Sequence, residues 1–291
     1  ILFDANADTA NRAVESIGAV LDRQVAKNKL SADDARAIAD RLSVANTAAA
    51  EGNYSVLAQC DIVIEAIVED LKIKQHLFAD IEAAVHADCV LATNTSSLSV
   101  TAIARGCRNP QRVIGIHFFN PAPVLPLVEI VPGIATSETV TRDVRALVDS
   151  WGKTTVLASD TPGFIVNRVA RPFYGEAIRI YEERIADPAT IDWAMRELGG
   201  FRMGPFELMD FIGHDVNFAT TSSVYEGTFF DPRYKPSVTQ QRLVQAGLLG
   251  RKTGRGFYDY AEGATKPEPN RDNALGQQIL TRIRAMLINE A

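Results

Sequence analysis

The sequence predicts an α/β protein in which a doubly wound parallel sheet is followed by an all-helical domain. Up to about residue 158, short apolar runs alternate with amphipathic stretches. This alternation is typical of a parallel sheet with helices on both faces. After Asp160 a Thr-Pro-Gly turn at residues 161–163 is followed by helical patterns. The length of 291 residues also favours two domains.

The first half is predicted to supply all the strands. Residues 1–4 have the pattern of the end of a buried strand, and two helices follow at 8–29 and 31–42, the second with Ser31 as its N-cap. Further strands are predicted at 60–66, 89–93, 113–117, 127–131 and 154–158, and further helices at 71–85, 98–105 and 139–151. We therefore expect a Rossmann-like sheet.

The second half is predicted to be helical. One helix spans residues 164–183, and the next begins at Asp187-Pro188, with Asp as the N-cap and Pro in the first turn. The pair Gly199-Gly200 ends it, and residues 205–225 carry further helix. Residues 262–273 are rich in Gly, Pro and charge, as linkers are. The expected units are 1–159, 160–261 and 262–291.

The sequence patterns at both ends of the chain predict that further residues precede and follow it. A doubly wound domain that binds a dinucleotide begins with a strand, a glycine-rich turn and a helix, and an acidic residue follows about twenty positions later. The first sixty residues contain no such turn, although Asp4 could be that acidic residue. We expect about thirty further residues before Ile1, carrying the first strand and the glycine-rich loop.

Residues 279–291 match residues 165–177 in register at their Ile, Arg, Glu and Ala positions. The match indicates the possible start of a second copy of the helical domain. An unrelated amphipathic helix is the alternative.

Composition excludes several classes of protein. A net charge of −6 and a pI near 5.3 argue against a nucleic-acid surface, and no apolar run is long enough to span a membrane. The first residues have no basic segment of a secretory signal. The three cysteines show no CxxC spacing and no companion histidines, so we expect no disulfide and no metal site. A reducing, cytoplasmic location follows.

His117 and Glu129 are the first candidates for chemistry. His117 lies where a predicted strand ends, the edge at which open α/β sheets bind ligands. Glu129 lies among apolar residues, so its carboxylate needs a partner. A short chain reversal through the prolines between them could bring Glu129 beside His117, where it would make the imidazole more basic. A structural histidine and an exposed edge carboxylate are the alternatives.

Two further segments carry candidates. Ser96 and Ser97 are predicted N-caps of the helix that starts near Leu98, a position that also attracts polar ligand groups. Asn167 lies one turn into a helix, where Asn is a mediocre helix former; an interdomain hydrogen bond and a solvent-facing amide are both open.

Together these residues resemble the 3-hydroxyacyl-CoA dehydrogenase family over most of the chain. The segments that carry the resemblance are EAIVEDLKIK (65–74), TNTSSLS (93–99), GIHFFNPAPVLPLVEIV (115–131), DTPGFIVNR (160–168), MGPFELMDFIG (203–213) and GRKTGRGFYDY (250–260). The order of HFFNP, LVE and DTPGFIVNR is highly specific.

The resemblance implies oxidation of a (3S)-3-hydroxyacyl-CoA to a 3-oxoacyl-CoA by NAD, a reaction of fatty acid β-oxidation. His117 would take the proton of the 3-hydroxyl, and Glu129 would support the imidazolium. Ser96 and Asn167 would bind the reacting oxygen or the thioester region. A homodimer through the helical domain is also implied.

The resemblance further places six residues around the cofactor. Asp4 would hold the adenosine ribose hydroxyls and so favour NAD over NADP. The others are Glu69, Lys74, Ser96, Asn120 and Lys252. Because the glycine-rich turn is missing, we expect residues 1–291 alone to bind NAD poorly and to turn over slowly or not at all.

Two other functions stay open. One is a dehydrogenase of free 3-hydroxy acids or sugar acids on the same scaffold. The other is a catalytically silent fragment that serves only for dimerisation. The length of the acyl chain is also open, since short 3-hydroxyacyl and dicarboxylic 3-hydroxyadipyl groups fit the motifs equally.

Overall fold

Five short strands form one sheet in the order β1-β2-β3-β4-β5. The structure is a computed structural model that describes residues 1–45 and 53–291. The strands are β1 (Ile62–Glu65), β2 (Val90–Thr93), β3 (Val113–Phe118), β4 (Leu127–Pro132) and β5 (Thr154–Leu157). All five fall within one or two residues of the predicted runs, so the α/β class is confirmed.

The sheet is mixed, and the expectation of a wholly parallel sheet is wrong at one junction. Strands β1, β2 and β3 are parallel, but β4 runs antiparallel to β3, and β5 is parallel to β4. The segment that joins β3 to β4, residues 119–126, is too short for the crossover of a dozen or more residues that parallel neighbours need. The chain reversal through the prolines is therefore confirmed.

Residues 1–4 do not join this sheet. Leu2 forms a single parallel bridge with Val44, and Ile1 is 54% exposed. The expectation of a buried strand here is wrong. A parallel strand is stabilised by neighbours that pair with both of its edges and cover both of its faces, and Leu2 has only this one pairing within the described residues.

The described residues of the first half also contain five α-helices, and each begins at a side-chain cap. They are α1 (Ala7–Ala26), α2 (Ala32–Ala39), α3 (Leu71–Ala84), α4 (Val100–Ala104) and α5 (Glu138–Ser150). Ser31 caps α2, as predicted. The cap of α4 is Ser99, not Ser96 or Ser97, because residues 94–98 form a separate loop in which Leu98 N–H donates to Thr95 Oγ1.

The second half is helical, as predicted. Its helices are α6 (Val166–Val169), α7 (Arg171–Glu182), α8 (Pro188–Trp193), α9 (Pro205–Ile212), α10 (His214–Gly227), α11 (Val238–Gln245) and α12 (Asn273–Glu290). Asp187 caps α8, and Pro188 lies in its first turn. The long helix predicted at 164–183 is broken at Ala170, since Pro172 cannot continue a helical hydrogen-bond ladder.

Helix α12 belongs to the core of the helical domain. It packs along α7, and its side chains Ile279, Leu280 and Ile283 are buried among those of α7 and α8. The segment before it, residues 262–272, contains no helix or strand, as expected of a linker. Across the described part of the chain, no helix has both the length and the apolar character needed to cross a membrane.

Candidate active site

The antiparallel pairing of β3 and β4 sets His117 directly opposite Glu129. The Nδ1 atom of His117 lies 2.6 Å from Oε2 of Glu129, and the two residues are 5% and 0% exposed. An ionised carboxylate only accepts hydrogen bonds, so the ring proton of the neutral imidazole is on Nδ1. The Nε2 atom then keeps its lone pair and can accept a proton.

The other carboxylate oxygen of Glu129 holds the start of the helical domain. Its Oε1 accepts the backbone N–H groups of Ile165, at 3.0 Å, and Val166, at 2.8 Å. These residues lead into α6, which carries Asn167. One carboxylate therefore orients the imidazole and fixes the helix that bears a second candidate residue, a role the sequence did not predict.

Two aromatic rings enclose the imidazole of His117. The ring of Phe119 lies 4.6 Å away between centroids and that of Phe164 lies 5.6 Å away, both edge-on. Phe164 is 4% exposed and has a left-handed φ of 49°, which is rare for a bulky residue. Such conformations persist where the surrounding structure imposes them and cluster at functional sites. The His117–Glu129 pair is thus buried, with the imidazole in part against apolar rings.

The loop of residues 94–98 brings Ser96 to the same edge of the sheet, at the carboxyl end of β2. The Asn94 side chain accepts the backbone N–H of Phe118 at 2.9 Å, which ties this loop to the end of β3. Sequence analysis did not single out Asn94, although a short polar residue directly after a buried strand is a usable signal. Ser96 itself is half-buried.

The carboxylate of Glu69 holds this loop in place through hydrogen bonds. Its Oε1 accepts Thr95 Oγ1 at 2.6 Å and the backbone N–H groups of Ser96, at 3.0 Å, and Ser97, at 3.2 Å. Burial alone would raise the pKa of Glu69, but the hydrogen bonds from Thr95 and Ser97 and the nearby Lys74 ammonium lower it overall. The carboxylate form is therefore the one that holds the Ser96 loop.

Lys74 is buried beneath Glu69, with a side chain that is 1% exposed. Its Nζ lies 2.5 Å from Glu65 Oε1 and 3.3 Å from Glu69 Oε2. Direct contact with a cofactor would require an exposed ammonium group. In this arrangement Lys74 would act through Glu69, by holding that carboxylate in place.

The other three residues predicted to bind the cofactor, Asp4, Asn120 and Lys252, lie in three different parts of the chain. Asp4 is exposed outside the sheet, and its Oδ1 accepts the backbone N–H of Asn6 at 2.8 Å. Asn120 is exposed just after β3. Lys252 lies in the helical domain, with its Nζ 2.6 Å from Asp215 Oδ1. Their contacts with a cofactor stay predictions.

The donor set at the carboxyl edge of β1, β2 and β3 fits the nicotinamide end of NAD. Open α/β sheets bind dinucleotides at this edge. Here the half-buried residues Asn94 and Ser96 follow the carboxyl end of β2, which is parallel to both of its neighbours. The exposed carboxylate of Asp4 fits ribose hydroxyls by its chemistry.

A separate apolar cavity of about 560 Å³ lies beside α6 and α7. Its lining residues include Val166, Val169 and Phe173 but neither His117 nor Glu129. The His117–Glu129 pair is therefore not part of the lining of this cavity.

We expect Glu69→Gln to lower the thermal stability of the protein at neutral pH more than in acid. A carboxylate whose pKa is lowered on folding, here from 4.5, stabilises the fold fully above that value, and the contribution is lost as the pH falls below it. Thermal midpoints of wild type and Glu69→Gln should differ most near neutral pH and converge as the pH falls through the lowered pKa of Glu69. A difference that does not change with pH would contradict this role.

Comparisons with known proteins agree with the fold. Residues 1–161 match the model of the NAD binding domain of 3-hydroxyacyl-CoA dehydrogenase, and residues 163–260 match that of its C-terminal domain. Together the matches cover most of the chain. The chain belongs to the 3-hydroxyacyl-CoA dehydrogenase family.

Relatives and solved structures give the same result. A 3-hydroxyadipyl-CoA dehydrogenase of Escherichia coli is 47% identical over 89% of this chain and 54% of its own length. A probable 3-hydroxybutyryl-CoA dehydrogenase of Bacillus subtilis is 40% identical over 90% of this chain and 88% of its own. The crystal structure of an Escherichia coli 3-hydroxybutyryl-CoA dehydrogenase matches with a TM-score of 0.85 and 46% identity, over 93% of this chain and 57% of that one. The chain thus spans little more than half the length of both Escherichia coli proteins.

Proposed function

We propose that the whole enzyme oxidises the 3-hydroxyl of a (3S)-3-hydroxyacyl-CoA to the 3-oxo group and reduces NAD. The observation that carries the proposal is the buried hydrogen bond between His117 and Glu129 at the edge of the sheet. Family membership supplies the substrate class and the cofactor. The names of the relatives support 3-hydroxybutyryl and 3-hydroxyadipyl groups equally.

In this mechanism Nε2 of His117 takes the proton of the 3-hydroxyl as the carbon–hydrogen bond at C3 breaks. Bound NAD supplies the acceptor for the hydride that leaves C3. Glu129 stabilises the imidazolium through its hydrogen bond to Nδ1. Ser96 and Asn167 would hold the reacting oxygen or the thioester region. On reduction of the 3-oxo group, the same imidazolium returns its proton.

The formation of NADH with matched substrates tests this proposal. We expect turnover of (3S)-3-hydroxybutyryl-CoA and (3S)-3-hydroxyadipyl-CoA, the (3R) thioester as the matched control to be inert, and free 3-hydroxybutyrate to react at least a hundred times more slowly. Equal rates with the free acid would favour a dehydrogenase of free hydroxy acids. No NADH with any thioester or with the free acid would favour the silent-fragment alternative.

Three further properties belong to the proposal. We propose a unit boundary near residue 159, between β5 and α6, which separates residues 1–159 from residues 160–261; residues 262–291 form a third segment, whose helix α12 packs into the core of the helical domain. Association of two copies through the helical domain rests on the family resemblance. A cytoplasmic location is supported by the three free cysteines. Burial raises the pKa of Cys89 to about 11 and that of Cys107 to about 12, so these two thiols are unreactive at neutral pH.

A further inference from the structure

The two residues proposed to hold the substrate lie on segments that are far apart in the chain. Ser96 lies in the loop of residues 94–98, which leads into α4, and Asn167 lies in α6. Glu69 bonds to the Ser96 loop, and Glu129 bonds to the start of α6. A reaction that uses both residues needs a further contact that sets one segment against the other.

Asp160 supplies such a contact. It lies between β5 and α6, and its carboxylate accepts three hydrogen bonds from the start of α4. Its Oδ1 accepts the backbone N–H of Val100 at 2.8 Å. Its Oδ2 accepts the backbone N–H of Thr101 at 2.8 Å and the hydroxyl of Ser99 at 2.9 Å. Ser99 directly follows the loop of residues 94–98, so Asp160 fixes the far end of that loop.

The turn of residues 161–164 connects Asp160 to α6 and is tightly packed. The N–H of its last residue donates to the carbonyl of its first at 2.9 Å. Gly163 has a left-handed φ of 76°, and a Cβ there would lie 2.9 Å from Cγ2 of Val224 in α10. The turn is closed by its own hydrogen bond and packs on the helical domain. A shift of Asp160 relative to α4 would therefore be passed on to α6.

We propose that Asp160 is a positioning residue of the reaction, which sets the distance between Ser96 and Asn167 across the site. The inference rests on the proposed function, since that function gives both residues their contact with the substrate. Asp160 acts through the two segments that it joins and does not touch the reacting atoms. A small error in the spacing of groups that bind a substrate can lower the rate about 100-fold, even when it arises far from the chemistry.

The variant Asp160→Asn tests the inference with little change in shape. Three donors converge on the carboxylate, whereas an amide offers one oxygen and an NH2 group that donates. Whichever way the amide turns, its NH2 group faces the backbone N–H of Val100 or that of Thr101. We expect faster hydrogen exchange at these two amides and a fall in kcat of roughly 10–100-fold on (3S)-3-hydroxybutyryl-CoA. KM should change much less, because the body of the substrate keeps its contacts.

A double-mutant cycle with Ser96→Ala separates positioning from simple capping of α4. If Asp160 acts by placing Ser96, little remains to be lost once that hydroxyl is gone. Asp160→Asn should then lower kcat by less than about threefold in the Ser96→Ala background. Asp187→Asn is the matched control, because Asp187 also caps a helix and accepts the N–H and the hydroxyl of Thr190, each at 3.0 Å. The control should lose stability and keep its kcat.

Losses that multiply in the double variant would overturn the inference, since they would show that Asp160 acts independently of Ser96. Equal losses of kcat in Asp160→Asn and Asp187→Asn would overturn it too. If Asp160→Asn does not fold, Ser99→Ala removes one of the three donors and should show a smaller loss that is again absent beside Ser96→Ala; an unchanged kcat would contradict the role. A wild-type enzyme without turnover would contradict the proposed function itself, whereas an active wild type with multiplying losses contradicts this inference alone.

Discussion

Replacing His117 by asparagine lowers kcat by roughly 10²–10⁴-fold, the usual scale for a positioned acid–base group. The Asn amide can still donate a hydrogen bond to the Glu129 carboxylate, but it cannot take up a proton at neutral pH. The 3-hydroxyl would then have to lose its proton to water, beside a residue that is only 5% exposed. Steady-state kinetics of the whole enzyme on a 3-hydroxyacyl-CoA measure the loss.

The effect should fall on kcat more than on KM, since His117 acts on the reacting proton and not on the body of the substrate. Circular dichroism of the variant checks that the fold is intact, because His117 is buried and its removal also alters packing. A loss of less than fivefold would remove His117 from the role of base.

The second large effect is expected for Glu129→Gln. If the Gln oxygen keeps the two backbone N–H groups of Ile165 and Val166, its NH2 group must face Nδ1 of His117. An NH2 group donates, so Nδ1 becomes the acceptor and the ring proton moves to Nε2. The imidazole then presents a proton where it must present a lone pair. We expect a loss in kcat of roughly 10²-fold or more.

The pH–rate profile should change as well. Without the carboxylate the imidazole loses the partner that orients it and fixes its tautomer, so the dependence of kcat on pH should differ from that of wild type. Glu82→Gln is the matched control, because Glu82 also accepts two backbone N–H groups, those of Arg108 and Asn109, away from the site. A Glu129→Gln variant with an unchanged profile, or a Glu82→Gln variant with an equal loss, would contradict the proposed pair.

The sequence was most informative where one pattern determines one structure. Short apolar runs between amphipathic stretches located all five strands. The short proline-rich segment after His117 predicted the reversal that pairs it with Glu129. Asp187-Pro188 predicted the start of α8, because a capping side chain and a fixed φ act within one turn. Such features depend on neighbours in the chain and so can be recognised without coordinates.

What the sequence did not show depends on contacts between distant residues. The second role of Glu129 joins β4 to α6, and the network from Lys74 through Glu69 to the Ser96 loop joins three segments. No local pattern encodes such pairings. The wrong N-cap of α4 has the same origin, since Glu69 draws Ser96 and Ser97 into a loop and leaves Ser99 to cap the helix.

The proton position on His117 tests the central claim most directly. Nitrogen-15 NMR of the histidine-labelled enzyme, with the His117 signal assigned by its loss in His117→Asn, reports which ring nitrogen carries the proton. At neutral pH without substrate we expect a protonated Nδ1, hydrogen-bonded to Glu129, and an unprotonated Nε2. A proton found on Nε2 of the neutral ring would contradict the account, because that nitrogen could not then act as the base.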